Sequence, residues 1–241
     1  MEAHWNPFDE LAPYYDAWFD SPPGNVVGAL ERDLFLRLAQ PAAGEQALEI
    51  GVGTGYFAQA VAEAGAQVTG LDLSQPMLQV AAGKGLPIRL LRADALALPL
   101  GRGAFELVYA VTVLEFVSDP ARAVAEMWAA VRPGGRLVAA VLNRWSPWAR
   151  RRAPPFDQAH FFSPPELWRL LGRYGRARWS SSVFFLPDGR GLRHAVTLEA
   201  LGRTCLRPFG ALLVARVDKP GSESSSRHPR GAGNRVLCEP R

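Results

Sequence analysis

The chain has 241 residues, of which 48% are hydrophobic and 21% are charged, and its formal net charge is +4. This length suits one α/β domain with a small appendage, and the apolar content excludes global disorder. About half of the positive excess lies in residues 218–241, and scattered charge is weak evidence for a nucleic-acid partner. Cys205 and Cys238 have neither a metal-like nor a redox-like spacing, so the sequence predicts no metal site.

No segment reaches the ~18 consecutive apolar residues of a membrane span. The acidic first twenty residues also lack the apolar run of a signal peptide. We therefore expect a soluble, cytoplasmic protein that binds no nucleic acid and touches a membrane at most peripherally.

The first forty residues have the pattern of two helices. Leu30, Leu34 and Leu38 give the second of them an apolar stripe at four-residue steps.

Strand-like and helix-like segments alternate after residue 40. Seven short apolar segments predict strands, at residues 46–50, 68–73, 88–91, 105–111, 136–142, 179–186 and 211–217. Helices between them begin at residues that can cap a first turn, Ser74, Asp119 and Ser163. This alternation predicts an α/β fold with a mostly parallel seven-stranded sheet, helices on both faces and an antiparallel C-terminal edge strand. The last two strands are expected to form a hairpin with a short, glycine-containing link.

The most informative segment is LEIGVGTGYF, residues 48–57, in which a strand runs through three glycines directly into a helix. Glycines at 51, 53 and 55 permit a tight turn and the close approach of a ligand. The second strand ends at Asp72, where a carboxylate can accept both hydroxyls of a ribose. Taken alone, Asp72 is also compatible with an ordinary turn or helix-capping residue.

The third glycine is not where a dinucleotide-binding site needs it. The pattern G-x-G-x-x-G requires a glycine at position 56, and Tyr56 would obstruct the close contact between helix and strand. A nicotinamide dehydrogenase is therefore disfavoured. A Gly-Lys-Ser/Thr phosphate loop is also absent from the sequence.

Five segments in this order resemble the class I S-adenosylmethionine-dependent methyltransferases. They are LEIGVGTG, GLDLS, RADALALPL, FELVYAVTVLEFVSDP and VRPGGRLV, and they cover residues 48–143. The resemblance includes the small-molecule branch with the ubiquinone and menaquinone C-methyltransferases. It implies a Rossmann-like fold, S-adenosylmethionine as cofactor, and transfer of its methyl group to a small-molecule acceptor.

The resemblance also assigns residues to the cofactor. It places the methionine and ribose parts on the glycine turn and the ribose hydroxyls on Asp72, with the adenine beside Leu73 and its amino group at Asp94 and Ala95. The cofactor-binding residues it implies are Glu49, Gly51, Gly53, Gly55, Asp72, Leu73, Asp94, Ala95 and Ala110. For Glu49, a purely structural role stays open.

Three residues are candidates for a catalytic role, namely Glu115, His160 and Tyr15. A general base is needed only if the acceptor is a hydroxyl or a carbon acid, and Glu115 and His160 are the best-placed groups. Tyr15 is the candidate for the active site from the first helix, where it would form an aromatic lid with Tyr14, Trp18 and Phe19. Cation–π attraction suits such a wall to a sulfonium, although plain core packing explains the same residues.

These expectations give the domain organisation. Residues 1–40 form a helical lid, 41–217 the cofactor-binding domain, and 143–162 a loop on the acceptor side. Residues 218–241 are low in apolar content and are predicted to be a disordered tail. Two other functions stay open: a protein or RNA methyltransferase of the same fold, and a non-catalytic S-adenosylmethionine-binding protein. The oligomeric state and the acceptor are not predicted.

Overall fold

The computed structural model describes residues 6–150 and 153–221. Its centre is a seven-stranded sheet, in which the strands lie in the order β3-β2-β1-β4-β5-β7-β6. The strands are β1 Gln46–Ile50, β2 Gln67–Asp72, β3 Ile88–Arg92, β4 Phe105–Val111, β5 Val131–Leu142, β6 Arg178–Ser182 and β7 Leu212–Asp218. The predicted Rossmann-like fold is confirmed.

Eight α-helices are present in the described residues. They are α1 Pro7–Leu11, α2 Ala17–Asp20, α3 Gly24–Ala39, α4 Tyr56–Glu63, α5 Gln75–Gly83, α6 Pro120–Ala130, α7 Pro164–Leu171 and α8 Ala195–Cys205. The predicted caps are confirmed, because Ser74 and Asp119 accept backbone N–H groups at the starts of α5 and α6. Ser163 and Glu166 form the expected capping box of α7. None of these helices combines the length and the apolar character needed to cross a bilayer.

The N-terminal segment contains more elements than the two helices predicted. Two short helices, α1 and α2, flank a 3-10 turn at Ala12–Tyr14, and only α3 is long. Prolines explain the division, because Pro13 lacks a backbone N–H and the pair Pro22-Pro23 prevents α2 from continuing into α3.

The C-terminal edge differs from the prediction in two ways. Strand β7 is antiparallel to both of its neighbours, so it lies inside the sheet and β6 is the edge strand. The link between β6 and β7 is not short, since residues 183–211 include α8. Strand β6 ends early because Val183 has a left-handed φ of 65° and because Glu199 accepts the N–H groups of Val183 and Phe184.

The predicted tail lies almost wholly outside the described residues, in 222–241. Its first residues belong to the fold. Asp218 ends β7, and Lys219 donates to the carbonyls of Trp128 in α6 and Val131 at the start of β5. The sheet therefore extends to Asp218, one residue beyond the predicted boundary.

Apolar side chains cover both faces of the sheet. On one face Leu48, Val108 and Leu137 pack with Met127 of α6. On the other face Phe35 of α3 and the next residues along the same strands form a second core. Successive residues of a central strand point to opposite faces, and helices cover both faces. Polar side chains on these strands are therefore expected mainly at the strand ends.

One charged group is an exception. The buried Arg136, early in β5, donates to the backbone carbonyls of Ala39 and Gln40 at the end of α3. It also forms a two-pronged ion pair with Glu45, at 2.9 and 2.6 Å. The guanidinium thereby joins the end of a helix, the start of β1 and the middle of the sheet.

Replacing Arg136 with Met removes these bonds, so the Glu45 carboxylate loses its cationic partner and two helix-terminal carbonyls lose their guanidinium donor. We expect the free energy of unfolding to fall by about 2–4 kcal/mol, measured by urea titration. Arg37→Met is the control, because Arg37 pairs with Asp33 on an exposed surface and should change stability by less than about 1 kcal/mol. Equal effects would contradict the role given to Arg136.

Candidate active site

The glycine turn follows β1 and leads into α4. Gly51 and Gly53 have φ of +70° and +53°, in the left-handed region that favours glycine. A Cβ on Gly51 would lie 2.2 Å from a methyl carbon of Val113, whereas a Cβ on Gly53 would meet no atom within 4 Å. Gly51 therefore permits close packing inside the protein, and Gly53 presents bare backbone to open space.

Asp72 lies beside this turn at the end of β2. One carboxylate oxygen accepts the N–H of Gly53 at 2.8 Å, and the other accepts the N–H of Ser74 at 2.9 Å. Burial raises the pKa of Asp72, although these backbone donors oppose the rise. Each oxygen keeps lone-pair capacity for a further donor.

A cavity of about 800 Å³ opens above the carboxyl ends of β1, β2 and β4. The strand order reverses between β1 and β4, and open α/β sheets bind ligands at such a point. Four carboxyl groups line the cavity, from Glu49, Asp72, Asp94 and Glu115. Among the described residues that line it, none is Arg or Lys. The cavity therefore suits a cationic ligand.

Aromatic rings close the side of the cavity opposite the sheet. Phe8 lies edge-on to Tyr15 and Phe116, with centroid distances of 6.5 and 4.8 Å. Phe19 stacks flat on Tyr56 at 4.0 Å, so the residue that departs from the dinucleotide pattern supports the N-terminal segment. These rings line the same cavity as the four carboxyl groups, and aromatic faces attract cations.

Comparison with known proteins agrees with this geometry. The methyltransferase-domain family matches residues 48–139. A ubiquinone biosynthesis O-methyltransferase from Thiobacillus denitrificans is 35% identical over 193 residues, which cover 70% of this chain and 80% of that protein. A demethylmenaquinone methyltransferase from Thermus thermophilus is 37% identical over 142 residues, covering 54% of this chain and 62% of that protein.

A solved structure gives the same result. The S-adenosylmethionine-dependent methyltransferase from Thermotoga maritima, named a possible histamine N-methyltransferase, has a TM-score of 0.68 at 25% identity. The match covers 89% of this chain and 99% of that one. The chain belongs to the S-adenosylmethionine-dependent methyltransferases. It spans about three fifths of the length of several curated relatives that it matches.

The residues present fit S-adenosylmethionine, the cofactor of this family. The open space at Gly53 is a cradle that a Cβ would fill. The buried carboxylate of Asp72 has acceptor capacity left for hydroxyl donors. The sulfonium and ammonium of this cofactor are cations, and the cavity offers them carboxyl groups and aromatic faces.

Most residues predicted for the site line this cavity. Those that line it are Tyr15, Glu49, Gly51, Gly53, Asp72, Leu73, Asp94, Ala95, Glu115 and His160. Gly55 and Ala110 do not. Gly55 caps α4 and faces Leu86, and Ala110 is buried within β4 with 1% exposure. Val111, Thr112 and Val113, which follow Ala110 in the chain, line the cavity.

Only half of the predicted aromatic lid faces the cavity. Tyr15 and Phe19 line it, whereas Tyr14 is 72% exposed and the partly exposed Trp18 lies against Gly24 at the start of α3. The prediction assumed one continuous helix. The 3-10 turn and the short α2 change the direction in which successive side chains point.

The predicted acceptor-side loop contributes through its second half. Pro155, Gln158 and His160 line the cavity. The first half is held elsewhere, because Arg144 pairs with Glu166 and the indole N–H of Trp148 donates to the Phe185 carbonyl. Trp145 packs against Phe209, Arg150 ends a 3-10 turn, and Arg151 and Arg152 lie outside the described residues. Arg144, Trp145 and Trp148 are therefore not among the residues that line the cavity.

Glu49 is buried at the end of β1. The hydroxyl of Tyr109, on the neighbouring strand β4, donates to its carboxyl at 3.0 Å. Burial raises the pKa of Glu49 well above its usual value, and the charge of Asp72 adds to the rise. Glu49 thus lines the cavity and also links β1 to β4 through Tyr109. This position is compatible with both roles considered from the sequence, cofactor binding and a purely structural role.

Glu115 is also buried, with 3% exposure, just beyond β4. One oxygen accepts the N–H of Leu142 at the end of β5. Burial raises the pKa of Glu115 to about 8. His160 is joined to this residue through the backbone, since its N–H donates to the Glu115 carbonyl at 2.9 Å.

Two contacts that sequence reasoning missed attach the N-terminal segment to the site. The Ser74 hydroxyl donates to Asp9 at 2.6 Å, and the Thr54 hydroxyl donates to Asp16 at the same distance. Asp16 also pairs with Lys84 at 2.6 Å. No local pattern marks these acids, because their partners lie tens of residues away along the chain.

The two glycines of the turn give a direct test of this geometry. Gly51→Ala places a methyl group against Val113, so we expect a loss of at least about 2 kcal/mol in the free energy of unfolding. Gly53→Ala meets only open space and should cost about 1 kcal/mol for its φ alone, while it weakens binding of S-adenosylhomocysteine. Denaturant titration and calorimetry measure the two effects. Equal stability losses would contradict the assignment.

Proposed function

We propose that the protein binds S-adenosylmethionine in this cavity and transfers its methyl group to a small-molecule acceptor. The observation that carries the proposal is a single cavity of about 800 Å³ whose wall includes the cradle at Gly53 and Asp72. The same wall includes Glu115 and an aromatic compartment formed by Phe8, Tyr15 and Phe116. This volume lies in the upper part of the range for small-molecule sites. It accommodates a cofactor together with a small acceptor.

The proposal assigns roles to individual residues. Asp72 accepts the ribose hydroxyls, and the exposed Asp94, whose carboxylate already caps the N–H of Leu96, receives the adenine amino group. Leu73 is 47% exposed, so its side chain is available to flank the adenine ring. Glu49 supports the region of the methionine ammonium. All four residues line the cavity.

S-adenosylmethionine, when bound, supplies a methyl group on a positively charged sulfur. The residues of this chain hold the acceptor in line with that carbon and exclude water, which in-line displacement requires. Phe8, Tyr15 and Phe116 form the apolar side of the compartment. Because positive charge spreads in the transition state, π faces and carboxylates stabilise it without a strong acid.

Residues 1–40 act as a lid in this proposal. The described part of the segment covers the cavity with Phe8, Tyr15 and Phe19. Two of its attachments, Asp9 to Ser74 and Asp16 to Thr54, end on residues that adjoin the proposed ribose and glycine-turn contacts. Breaking these two hydrogen bonds would weaken the closed position of the lid without disturbing the sheet.

An RNA acceptor is less well supported than a small molecule. The cavity carries four carboxyl groups, and none of its lining residues in the described chain is Arg or Lys. Phosphate recognition depends on such cations. A cytoplasmic location remains part of the proposal.

Asp72→Asn should weaken binding of S-adenosylmethionine at least tenfold in calorimetry. Each hydroxyl bond to a charged carboxylate contributes about 1.5–3 kcal/mol, and about 1.4 kcal/mol is tenfold in affinity. Asp188→Asn removes an equal charge from an exposed turn and serves as the control, with unchanged affinity expected. Binding of the Asp72 variant at wild-type strength would refute the ribose assignment.

The double variant Asp9→Ala, Asp16→Ala should release bound S-adenosylhomocysteine at least about fivefold faster. Loss of about 1 kcal/mol from the closed lid has that effect. The release rate is measured by chasing the bound compound with excess unlabelled ligand. Asp20→Ala, an exposed acid on the same segment, is the control. An unchanged rate would remove the lid from the proposal and leave cofactor binding in place.

A further inference from the structure

One oxygen of Glu115 lacks a partner. Only 3% of the Glu115 surface is exposed, and one carboxylate oxygen, Oε1, accepts the Leu142 N–H. The second oxygen has no hydrogen-bond partner among the described residues. Glu115 nevertheless lines the cavity, so the unpaired oxygen lies close behind the cavity wall. Buried polar atoms are almost always paired, and an orphan acceptor beside a cavity indicates a missing donor.

The surroundings of Glu115 determine which donor fits. Glu31 lies close enough to interact with it electrostatically, and burial raises the pKa of Glu31 to about 8, with Glu199 and Glu115 adding to the rise. Burial likewise raises the pKa of Tyr15, and its charged neighbours, Glu115 included, are all carboxyl groups. Each of these groups that is ionised would repel a negatively charged acceptor, and no Arg or Lys among the described residues of the cavity wall offsets that repulsion.

The aromatic compartment adds a preference for positive charge. Phe8, Tyr15 and Phe116 line it, and the Phe8 ring contacts the other two. Rings attract a cation to their faces, and this attraction grows when the cation is removed from water. Carboxyl groups and aromatic faces in one compartment together favour an ammonium over a neutral hydroxyl and over any anion.

From this arrangement we infer that the methyl acceptor is a small amine whose nitrogen donates a hydrogen bond to the unpaired oxygen of Glu115. The inference rests on the proposed function and names its substrate class. His160 and Gln158 lie on the same wall, from the loop after β5, and complete the polar part of the compartment.

The reaction balances without any further reactant. Above its pKa of about 8 Glu115 is a carboxylate, and in that form it takes one proton from the bound ammonium, which leaves a neutral nitrogen with a free lone pair. That lone pair forms a bond to the methyl carbon as the sulfur–carbon bond breaks, and the electron pair of the broken bond stays on sulfur. The positive charge moves from sulfur to the methylated nitrogen. Burial of Glu115 favours its protonated form, so proton transfer from the ammonium is supported by the same environment.

Three probes that differ only in their head group test the inference. Phenethylamine, 2-phenylethanol and phenylacetate carry the same ring and offer an ammonium, a hydroxyl and a carboxylate. Calorimetry measures the binding of each to the protein saturated with S-adenosylhomocysteine. We expect the amine to bind at least tenfold more tightly than the alcohol, and the carboxylate to bind most weakly. With S-adenosylmethionine, mass spectrometry should detect N-methylation of the amine.

Glu115→Gln separates recognition from folding. Glutamine keeps an acceptor for the Leu142 N–H and loses the charge, so the amine should lose its advantage over the alcohol while the melting temperature changes little. Glu63→Gln, which removes a carboxylate from the exposed side of α4, is the matched control and should leave the preference intact. Affinity for S-adenosylhomocysteine should stay within about twofold in both variants.

The outcomes distinguish the inference from the proposed function. Equal affinities, preference for the alcohol or the carboxylate, absence of amine binding, or a preference that survives in Glu115→Gln would each overturn the amine inference. If Glu115→Gln instead weakened S-adenosylhomocysteine itself, Glu115 would serve the ammonium of the cofactor, which also overturns it. Failure of the wild-type protein to bind S-adenosylhomocysteine would overturn the proposed function.

Discussion

The hydrogen bond from the Gly53 N–H to Asp72 is the contact on which the site depends. It joins the turn after β1 to the end of β2 at 2.8 Å, so two neighbouring strands hold one ligand cradle. Glycine is required at position 51 because Val113 occupies the space of a side chain, and at position 53 because the backbone must face the cavity. Glu49 and Asp72, on these two strands, thereby line the same cavity.

Carboxyl groups at strand ends are costly to bury, and the fold compensates each of them differently. Asp72 accepts two backbone N–H groups, and Glu49 accepts the Tyr109 hydroxyl. Glu115 accepts the Leu142 N–H, and its other oxygen has no partner among the described residues. Asp72 and Glu49 thus have hydrogen-bond donors within the protein that offset the cost of their burial. The unpaired oxygen of Glu115 has no such donor among the described residues.

Much of the fold was predictable from local pattern. Glycines next to short apolar runs gave the first five strands, and Ser74, Asp119 and Ser163 gave helix starts, because capping involves residues only a few positions apart. The C-terminal edge was not predictable in the same way. The end of β6 depends on Glu199, which reaches back to the N–H groups of Val183 and Phe184 from a later helix.

The sequence by itself determined the family, the glycine turn and its acidic partner, since these are contiguous motifs in a fixed order. Only the tertiary structure decided which aromatic residues face the cavity, that Gly55 and Ala110 do not, and that Asp9 and Asp16 attach the N-terminal segment. The physical reason is the distance along the chain between the residues that interact. Backbone turns and caps are local, whereas burial and charge pairing arise only when distant segments pack together.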